Sequence, residues 1–204
     1  MNQPIRHIVF DIGKVLIHYD PELAYLDIIP DTQARRDFLA NVCTPDWNVE
    51  QDRGRSWEEA EALLIGEHPA HAENIRAFRR NWHKMVPHAL DGSVEILEAL
   101  LARGHDVTML TNFAADTFVE AQQRFAFLTK SRGVTVSGEV RRLKPEREIY
   151  EAHATTFGLE PAATLFIDDS ARNVEGAIEA GWRSVLFVDA PTLRADLARH
   201  GVDV

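Results

Sequence analysis

The sequence of 204 residues contains a single cysteine, Cys43, and lacks any apolar run long enough to cross a bilayer. One cysteine excludes an internal disulfide, and a membrane-spanning helix needs roughly 20 apolar residues. Residues 1–6 also lack the apolar stretch of a signal peptide. We therefore expect a soluble protein of the reducing cytoplasm.

Positive charge is also scarce. The chain has 22 Lys and Arg against 32 Asp and Glu, which gives a formal net charge of -10. Such a surface argues against non-specific binding to nucleic acid or to anionic membranes, because both need basic residues. We expect a small-molecule substrate, no nucleic-acid or membrane partner, and a monomer or a homodimer. A phosphorylated substrate would need a local positive site.

Residues 89–204 alternate between segments of helical periodicity and short β-branched runs. This alternation is typical of an α/β protein with a doubly wound parallel sheet and helices on both faces. The predicted strands lie at 8–10, 107–110, 134–136, 165–167 and 184–188, and the predicted helices lie at about 93–104, 115–127, 146–157 and 170–180.

Residues 20–88 contain no convincing strand but carry several signals for the start of a helix. Asp20-Pro21, Asp31-Thr32 and the pair Ser56 and Glu59 are such signals. A helical block of roughly 70 residues is too long for an ordinary connection between two strands. We predict that residues 20–88 form a helical cap, inserted into an α/β core domain of residues 1–19 and 89–204.

Carboxylates follow two of the predicted strands. Asp11 comes directly after the first strand, and the pair Asp168-Asp169 ends the strand at 165–167. If these strands are neighbours, three carboxylates meet at the edge where open parallel sheets bind ligands, with Lys144 as the evident cation. Such a cluster either takes up protons or binds a divalent metal, and we favour the metal.

Four segments together carry a resemblance to a known family. In order they are Phe10-Asp11-Ile12-Gly13, Leu110-Thr111-Asn112, Leu143-Lys144-Pro145 and Phe166-Ile167-Asp168-Asp169-Ser170. They resemble the four signature motifs of the haloacid dehalogenase-like hydrolases, which are mostly Mg²⁺-dependent phosphatases with a Rossmann-like core. The helical insertion resembles the type-1 cap of that family, and the pattern from Phe10 to Leu16 is similar to sugar-1-phosphate phosphatases.

The resemblance implies roles for individual residues. Asp11 would attack phosphorus and form an aspartyl-phosphate that water then hydrolyses. Asp11, the carbonyl of Gly13, Asp168 and Asp169 would form the Mg²⁺ site, with Asp169 binding directly or through water. Thr111, the main-chain N–H of Asn112 and Lys144 would bind the phosphoryl oxygens.

One residue departs from the family pattern. Most of these phosphatases have a second Asp two residues after the nucleophile, which acts as general acid and base, whereas this chain has Gly13 there. Losing such a group costs roughly 10²–10⁴ in rate unless something replaces it. The departure predicts a preference for glycosyl or acyl phosphates, whose leaving groups depend less on an acid.

The sequence is also compatible with two other functions. A 2-haloacid dehalogenase uses the same aspartate nucleophile without an acid or a metal, but its last motif has small polar residues where this chain has Asp168-Asp169. A phosphate-binding relative with weak or no turnover would also tolerate Gly13. In the cap, residues 47–48 and 52–54 are candidates for contact with the leaving group, and packing is the other explanation for Trp47.

Overall fold

The computed structural model describes residues 3–204, which form a five-stranded parallel sheet in the order β3-β2-β1-β4-β5. The strands are β1 (His7–Phe10), β2 (Asp106–Thr111), β3 (Val134–Val136), β4 (Thr164–Asp168) and β5 (Arg183–Leu186). All four pairings are parallel. The predicted α/β class and all five predicted strands are confirmed.

Helices connect the strands. They are α1 (Thr32–Asn41), α2 (Pro45–Asp52), α3 (Trp57–Glu67), α4 (Ala72–Arg80), α5 (Trp82–Met85), α6 (Asp91–Ala102), α7 (Ala115–Arg124), α8 (Ser137–Val140), α9 (Arg147–Phe157), α10 (Ala171–Glu179) and α11 (Ala190–Arg199). Short 3₁₀ helices occur at Pro21–Tyr25, Pro69–His71, Ala126–Thr129 and Pro161–Ala163.

The central strand β1 contributes to apolar cores on both faces of the sheet. Ile8 and Phe10 belong to the larger core, which extends to the helices between β1 and β2. Val9 points to the opposite face and packs with Tyr150 and Trp182. Successive side chains of a strand point to opposite faces, so the continuous apolar run of β1 is what a sheet covered on both faces requires.

The segment between β1 and β2 is helical, and the side chains predicted to start its helices do so. Asp31 accepts a hydrogen bond from the N–H of Ala34, and Ser56 accepts one from the N–H of Glu59. Residues 20–88 form no strand, and this segment lies entirely within the part of the chain that the structure describes.

The start of α6 differs from the prediction. The helix predicted to start at Ser93 begins at Asp91, so Ser93 is buried inside the first turn and does not cap it. Across residues 3–204, every helix is too short or too polar to cross a bilayer.

Candidate active site

The sheet brings Asp11 next to the two aspartates at the end of β4. Phe10 pairs with Ile167 across β1 and β4, and the N–H of Asp11 donates to the carbonyl of Ile167 at 2.8 Å. As a result Asp11, Asp168 and Asp169 each place a carboxylate oxygen within 4.8 Å of the others. The clustering predicted from the sequence is therefore present.

Lys144 lies at the centre of this acidic cluster. Its Nζ is 2.8 Å from Oδ1 of Asp11 and 2.7 Å from Oδ2 of Asp168. It also donates to the carbonyl of Leu110 at 3.1 Å. The ammonium and the carboxylates of Asp11 and Asp168 are almost completely removed from solvent, so these charges interact through a medium of low dielectric constant.

The pKa values of both Asp11 and Lys144 lie above their usual range, and for each residue burial and the neighbouring charges act in opposite directions. Burial raises the pKa of Asp11 to about 7, and the Lys144 ammonium opposes this rise. Burial lowers the pKa of Lys144, but the carboxylates of Asp11 and Asp168 more than compensate, so that its pKa lies above the usual value. Lys144 therefore remains a cation at neutral pH.

Asp168 and Asp169 differ in how far their oxygens are already used. Asp168 is fully buried, and it accepts hydrogen bonds from the N–H of Ser170 at 2.8 Å and from Nδ2 of Asn173 at 3.0 and 3.1 Å. Asp169 is more exposed, and burial followed by the charge of Asp168 raises its pKa. Asp169 thus offers the more accessible carboxylate.

Two residues of the second motif, Leu110 and Asn112, form hydrogen bonds with Lys144. Thr111 is buried at the end of β2. The amide side chain of Asn112 donates to the carbonyl of Lys144 at 3.0 Å and accepts from its N–H at 2.8 Å. This two-way bond fixes the main chain of Lys144, a function of Asn112 that its position in the sequence did not reveal.

The donor atoms of this cluster fit a Mg²⁺ ion. Three carboxylates and one ammonium leave an excess of negative charge when all are ionised, and the available donors are hard oxygens. Magnesium prefers such oxygens and is usually held by one or two carboxylates together with substrate phosphate and water. A divalent cation would offset the repulsion among the carboxylates.

A cavity of about 110 Å³ lies between the sheet edge and the helices that follow β1, and it is lined by Gly13 and Asn112, which lie close to Asp11 and Lys144. Gly13 and Asn112 lie on the sheet side, and Asn48 and Asp52 of α2 lie on the helical side. The remaining lining residues are Ile17, Tyr19, Trp57, Trp82, Val86, Phe113 and Thr117. The cavity is thus largely aromatic and apolar, with a few polar groups.

The residues predicted to contact the leaving group, 47–48 and 52–54, separate into two groups. Trp47 packs against the rings of Trp57 and Phe78, with centroids 6.0 and 5.2 Å away, and does not line this cavity. Asp52 does line it, whereas Arg53 pairs with Glu146. The periodicity of α2 carried no signal that distinguishes these residues.

Comparisons with known proteins agree with this geometry. The chain is 31% identical to a chloroplast flavin mononucleotide hydrolase of Arabidopsis thaliana over 117 residues, which is 56% of this chain and 46% of that protein. It is 25% identical to a sesquiterpene phosphatase of Aspergillus oryzae over 89% of each chain.

A similar fold occurs in a haloacid dehalogenase family enzyme of Bacteroides thetaiotaomicron, solved in complex with magnesium and inorganic phosphate. The TM-score is 0.71 at 20% identity, over 91% of this chain and 95% of that chain. A family model of haloacid dehalogenase-like hydrolases matches residues 5–181. The chain therefore belongs to the haloacid dehalogenase-like hydrolases.

Proposed function

We propose that this hydrolase is a Mg²⁺-dependent phosphatase that acts on a small phosphorylated metabolite, such as a sugar phosphate, through an aspartyl-phosphate on Asp11. The observation that supports this most directly is the cluster of Asp11, Lys144, Asp168 and Asp169 at the carboxyl edge of the sheet. One carboxylate can act as nucleophile while the other two bind a cation. The relative from Aspergillus is named as a sesquiterpene phosphatase, and the relative from Arabidopsis as a flavin mononucleotide hydrolase.

In the proposed reaction an oxygen of Asp11 attacks phosphorus, and water then hydrolyses the aspartyl-phosphate. Lys144 keeps its proton and binds a phosphoryl oxygen as a point charge. The hydroxyl of Thr111 and the main-chain N–H of Asn112 donate to the other phosphoryl oxygens. Asn112 also holds Lys144 in place through its side chain.

The metal site in this proposal consists of Asp11, the main-chain carbonyl of Gly13, Asp168 and Asp169. Asp169 is the better direct ligand of the last two, because both oxygens of Asp168 already accept hydrogen bonds. When bound, Mg²⁺ would shield the anionic nucleophile from the anionic phosphate and neutralise charge in the transition state.

We also propose that residues 20–88 act as a cap on a core domain of residues 1–19 and 89–204. The support is that α2 and α3 contribute one wall of the cavity beside Gly13. A cap in this position would exclude bulk water from the phosphoryl group during the reaction. Its loops would also contact the leaving group and so select the substrate.

A p-nitrophenyl phosphate assay tests the proposed function. Release of p-nitrophenol should require Mg²⁺ and should stop on addition of EDTA, because the acidic cluster needs a cation before an anionic substrate can enter. Beryllium fluoride with Mg²⁺ should inhibit the enzyme by mimicking the phosphoryl group on Asp11. A panel of sugar phosphates, nucleotides and acyl phosphates would then identify the substrate class.

The alternatives make different predictions in the same experiment. Gly13 is also compatible with a dehalogenase, which would release chloride from 2-chloropropionate whether or not EDTA is present. A phosphate-binding protein would bind inorganic phosphate with Mg²⁺ but hydrolyse none of the panel. Either result would contradict the phosphatase proposal.

A further inference from the structure

Position 13 opens into the cavity beside the acidic cluster. A Cβ atom added to Gly13 would meet no atom within 4 Å. This empty space is continuous with the cavity that Gly13 lines together with Asp52 and Asn112. A leaving group in this cavity would need a proton donor, and residue 13 has no side chain to supply one.

Asp52 places a carboxyl group on the opposite wall of that cavity. It is the last residue of α2 and is partly buried. Oδ2 of Asp52 accepts a weak hydrogen bond from Asn48 at 3.4 Å. Burial raises the pKa of Asp52 to about 7, and the N–H of Ala114 partly opposes this rise. A carboxyl group with such a pKa can both donate and accept a proton at neutral pH.

The main chain at Asp52 is attached to the core rather than free to move with a loop. The hydroxyl of Ser137 donates to the carbonyl of Asp52 at 2.6 Å and accepts from the N–H of Phe113 at 2.8 Å. The guanidinium of Arg53 donates to both oxygens of Glu146, at 3.1 and 2.6 Å. These bonds attach the end of α2 to residues that follow the second and third motifs.

The turn after Arg53 has the same effect. Gly54 has φ of +103°, and a Cβ atom there would lie 2.8 Å from the carbonyl oxygen of Gly138. Any other residue would strain the backbone and push the end of α2 away from α8. The close approach of these two glycines therefore keeps the end of α2, where Asp52 lies, against α8.

Few charged or titratable groups face Asp52. Tyr19 lines the cavity together with Asp52, and both residues also line a second cavity, of about 350 Å³. Burial together with the charge of Asp52 raises the pKa of the Tyr19 phenol. Lys14 lines the second of these cavities. Arg53 is turned towards Glu146. Tyr19 is thus neutral beside Asp52, and burial, not a neighbouring charge, is the main cause of the raised pKa of Asp52.

We propose that Asp52 is a catalytic residue that exchanges a proton with the leaving group and with water, in place of the side chain that position 13 lacks; this inference rests on the proposed phosphatase function. As Asp11 attacks phosphorus, the bond from phosphorus to the ester oxygen breaks. Its electron pair stays on that oxygen, which takes the proton of Asp52 and leaves as an alcohol. Asp52 becomes a carboxylate.

The second half of the reaction restores the enzyme. Water attacks the phosphorus of the aspartyl-phosphate and transfers a proton to the carboxylate of Asp52. The bond from phosphorus to Asp11 breaks, and its electron pair returns to Asp11 as a carboxylate. Inorganic phosphate leaves, and Asp52 is again protonated. The wild-type enzyme would therefore not need the activated leaving groups that Gly13 alone predicts.

A series of p-nitrophenyl, phenyl and benzyl phosphate tests this role, because the leaving group becomes steadily worse along it. We expect Asp52→Asn to lower kcat/KM for benzyl phosphate by roughly 10²-fold or more. The loss of kcat/KM on p-nitrophenyl phosphate should be at least ten times smaller, because p-nitrophenolate leaves without taking up a proton. Asp52→Ser should give the same pattern.

A double variant supplies an independent measurement. Gly13→Asp in the Asp52→Asn background places a carboxyl group in the empty space next to Gly13 and should recover at least ten-fold of the activity on benzyl phosphate. Asp46→Asn is the matched control, since Asp46 is an exposed acid in the first turn of the same helix. It should match the wild type on all three substrates.

The outcomes separate the two proposals. If the wild type is active and Asp52→Asn loses the same factor on all three substrates, Asp52 is only structural and the present inference is wrong, while the phosphatase function stands. If the wild type hydrolyses none of the three with Mg²⁺, both are wrong.

Discussion

Asp11 and Lys144 lie 2.8 Å apart in a position that water hardly reaches. Lys144 opposes the rise that burial causes in the pKa of Asp11, and Asp11 and Asp168 together keep Lys144 charged, because a buried charge is stable only beside a partner of opposite sign. The same low dielectric constant makes the carboxylate of Asp11 a poorly solvated and therefore more reactive nucleophile. At the scale of single residues, burial thus destabilises the charged side chains of the site and also makes the nucleophile more reactive.

Asp11→Asn should abolish turnover and leave the fold intact. The amide has nearly the same shape as the carboxylate but cannot attack phosphorus, so kcat on p-nitrophenyl phosphate should fall by at least roughly 10³-fold. Urea unfolding should show no loss of stability, because the change also removes one charge from a cluster with excess negative charge. A residual activity above one tenth of the wild type would show that Asp11 is not the nucleophile.

At the scale of elements, α9 is attached to the sheet by a buried histidine. His153 has no exposed surface, and its two ring nitrogens bond to the hydroxyls of Thr108 at 2.9 Å and Thr135 at 2.7 Å. Burial lowers the pKa of His153 from 6.5 to about 3, with a smaller contribution from Arg132. The helix is thus joined to β2 and β3 by a neutral imidazole.

The buried histidine predicts a loss of stability in acid. Between about pH 6.5 and pH 3 the unfolded chain binds a proton at His153 that the folded chain does not, so stability falls as the pH falls through this window. From pH 7 to pH 5 the contribution is about 2 kcal/mol. Urea unfolding at both pH values measures it, as the difference in pH dependence between the wild type and His153→Gln.

The control for this measurement is His83→Gln, because His83 is exposed. It should keep the pH dependence of the wild type. If His153→Gln also kept that dependence, the imidazole of His153 would be charged in the folded protein, and its assignment as a neutral link between α9 and the sheet would be wrong.

At the scale of the whole molecule, the formal net charge of -10 repels an anionic substrate, and the acidic cluster adds to that repulsion locally. Lys144 is paired with two carboxylates and cannot reverse the sign of the site alone. A bound divalent cation would convert the cluster from a site that repels phosphate to one that attracts it. Metal binding should therefore stabilise the folded chain as well as activate it.

Thermal unfolding with and without Mg²⁺ tests this coupling without any substrate. A ligand that binds only the folded state at 100 times its Kd adds about 2.7 kcal/mol of stability, which corresponds to a rise in Tm of roughly 5–10 °C for a chain of this size. Asp169→Asn should reduce the rise at least by half. Glu175→Gln, which removes an exposed charge from α10, should leave it as in the wild type.

If Mg²⁺ raised the Tm of Asp169→Asn as much as that of the wild type, the metal would bind elsewhere. The absence of a rise in the wild type would contradict the proposed metal site itself. Calcium is a useful comparison, because its larger radius and looser geometry should give a different rise at the same cluster.

The sheet and the acidic cluster could be predicted from the sequence, because the signals for them are local or periodic. The five strands follow from short apolar runs, and Asp11 and Asp168 follow two of those runs directly. Parallel strands all end at one edge, so residues that end strands meet there without any knowledge of loops. That rule was sufficient to place Asp11 near Asp168.

Only the tertiary structure decided which residues support and complete the site. The bond from Asn112 to Lys144, the bond from Asn173 to Asp168 and the position of Asp52 opposite Gly13 depend on how loops and α2 pack on the core. Packing of irregular segments depends on side-chain shape and on contacts between residues far apart in the chain. Such contacts leave no period in the sequence, which is why Asp52 became distinguishable from Trp47 only in three dimensions.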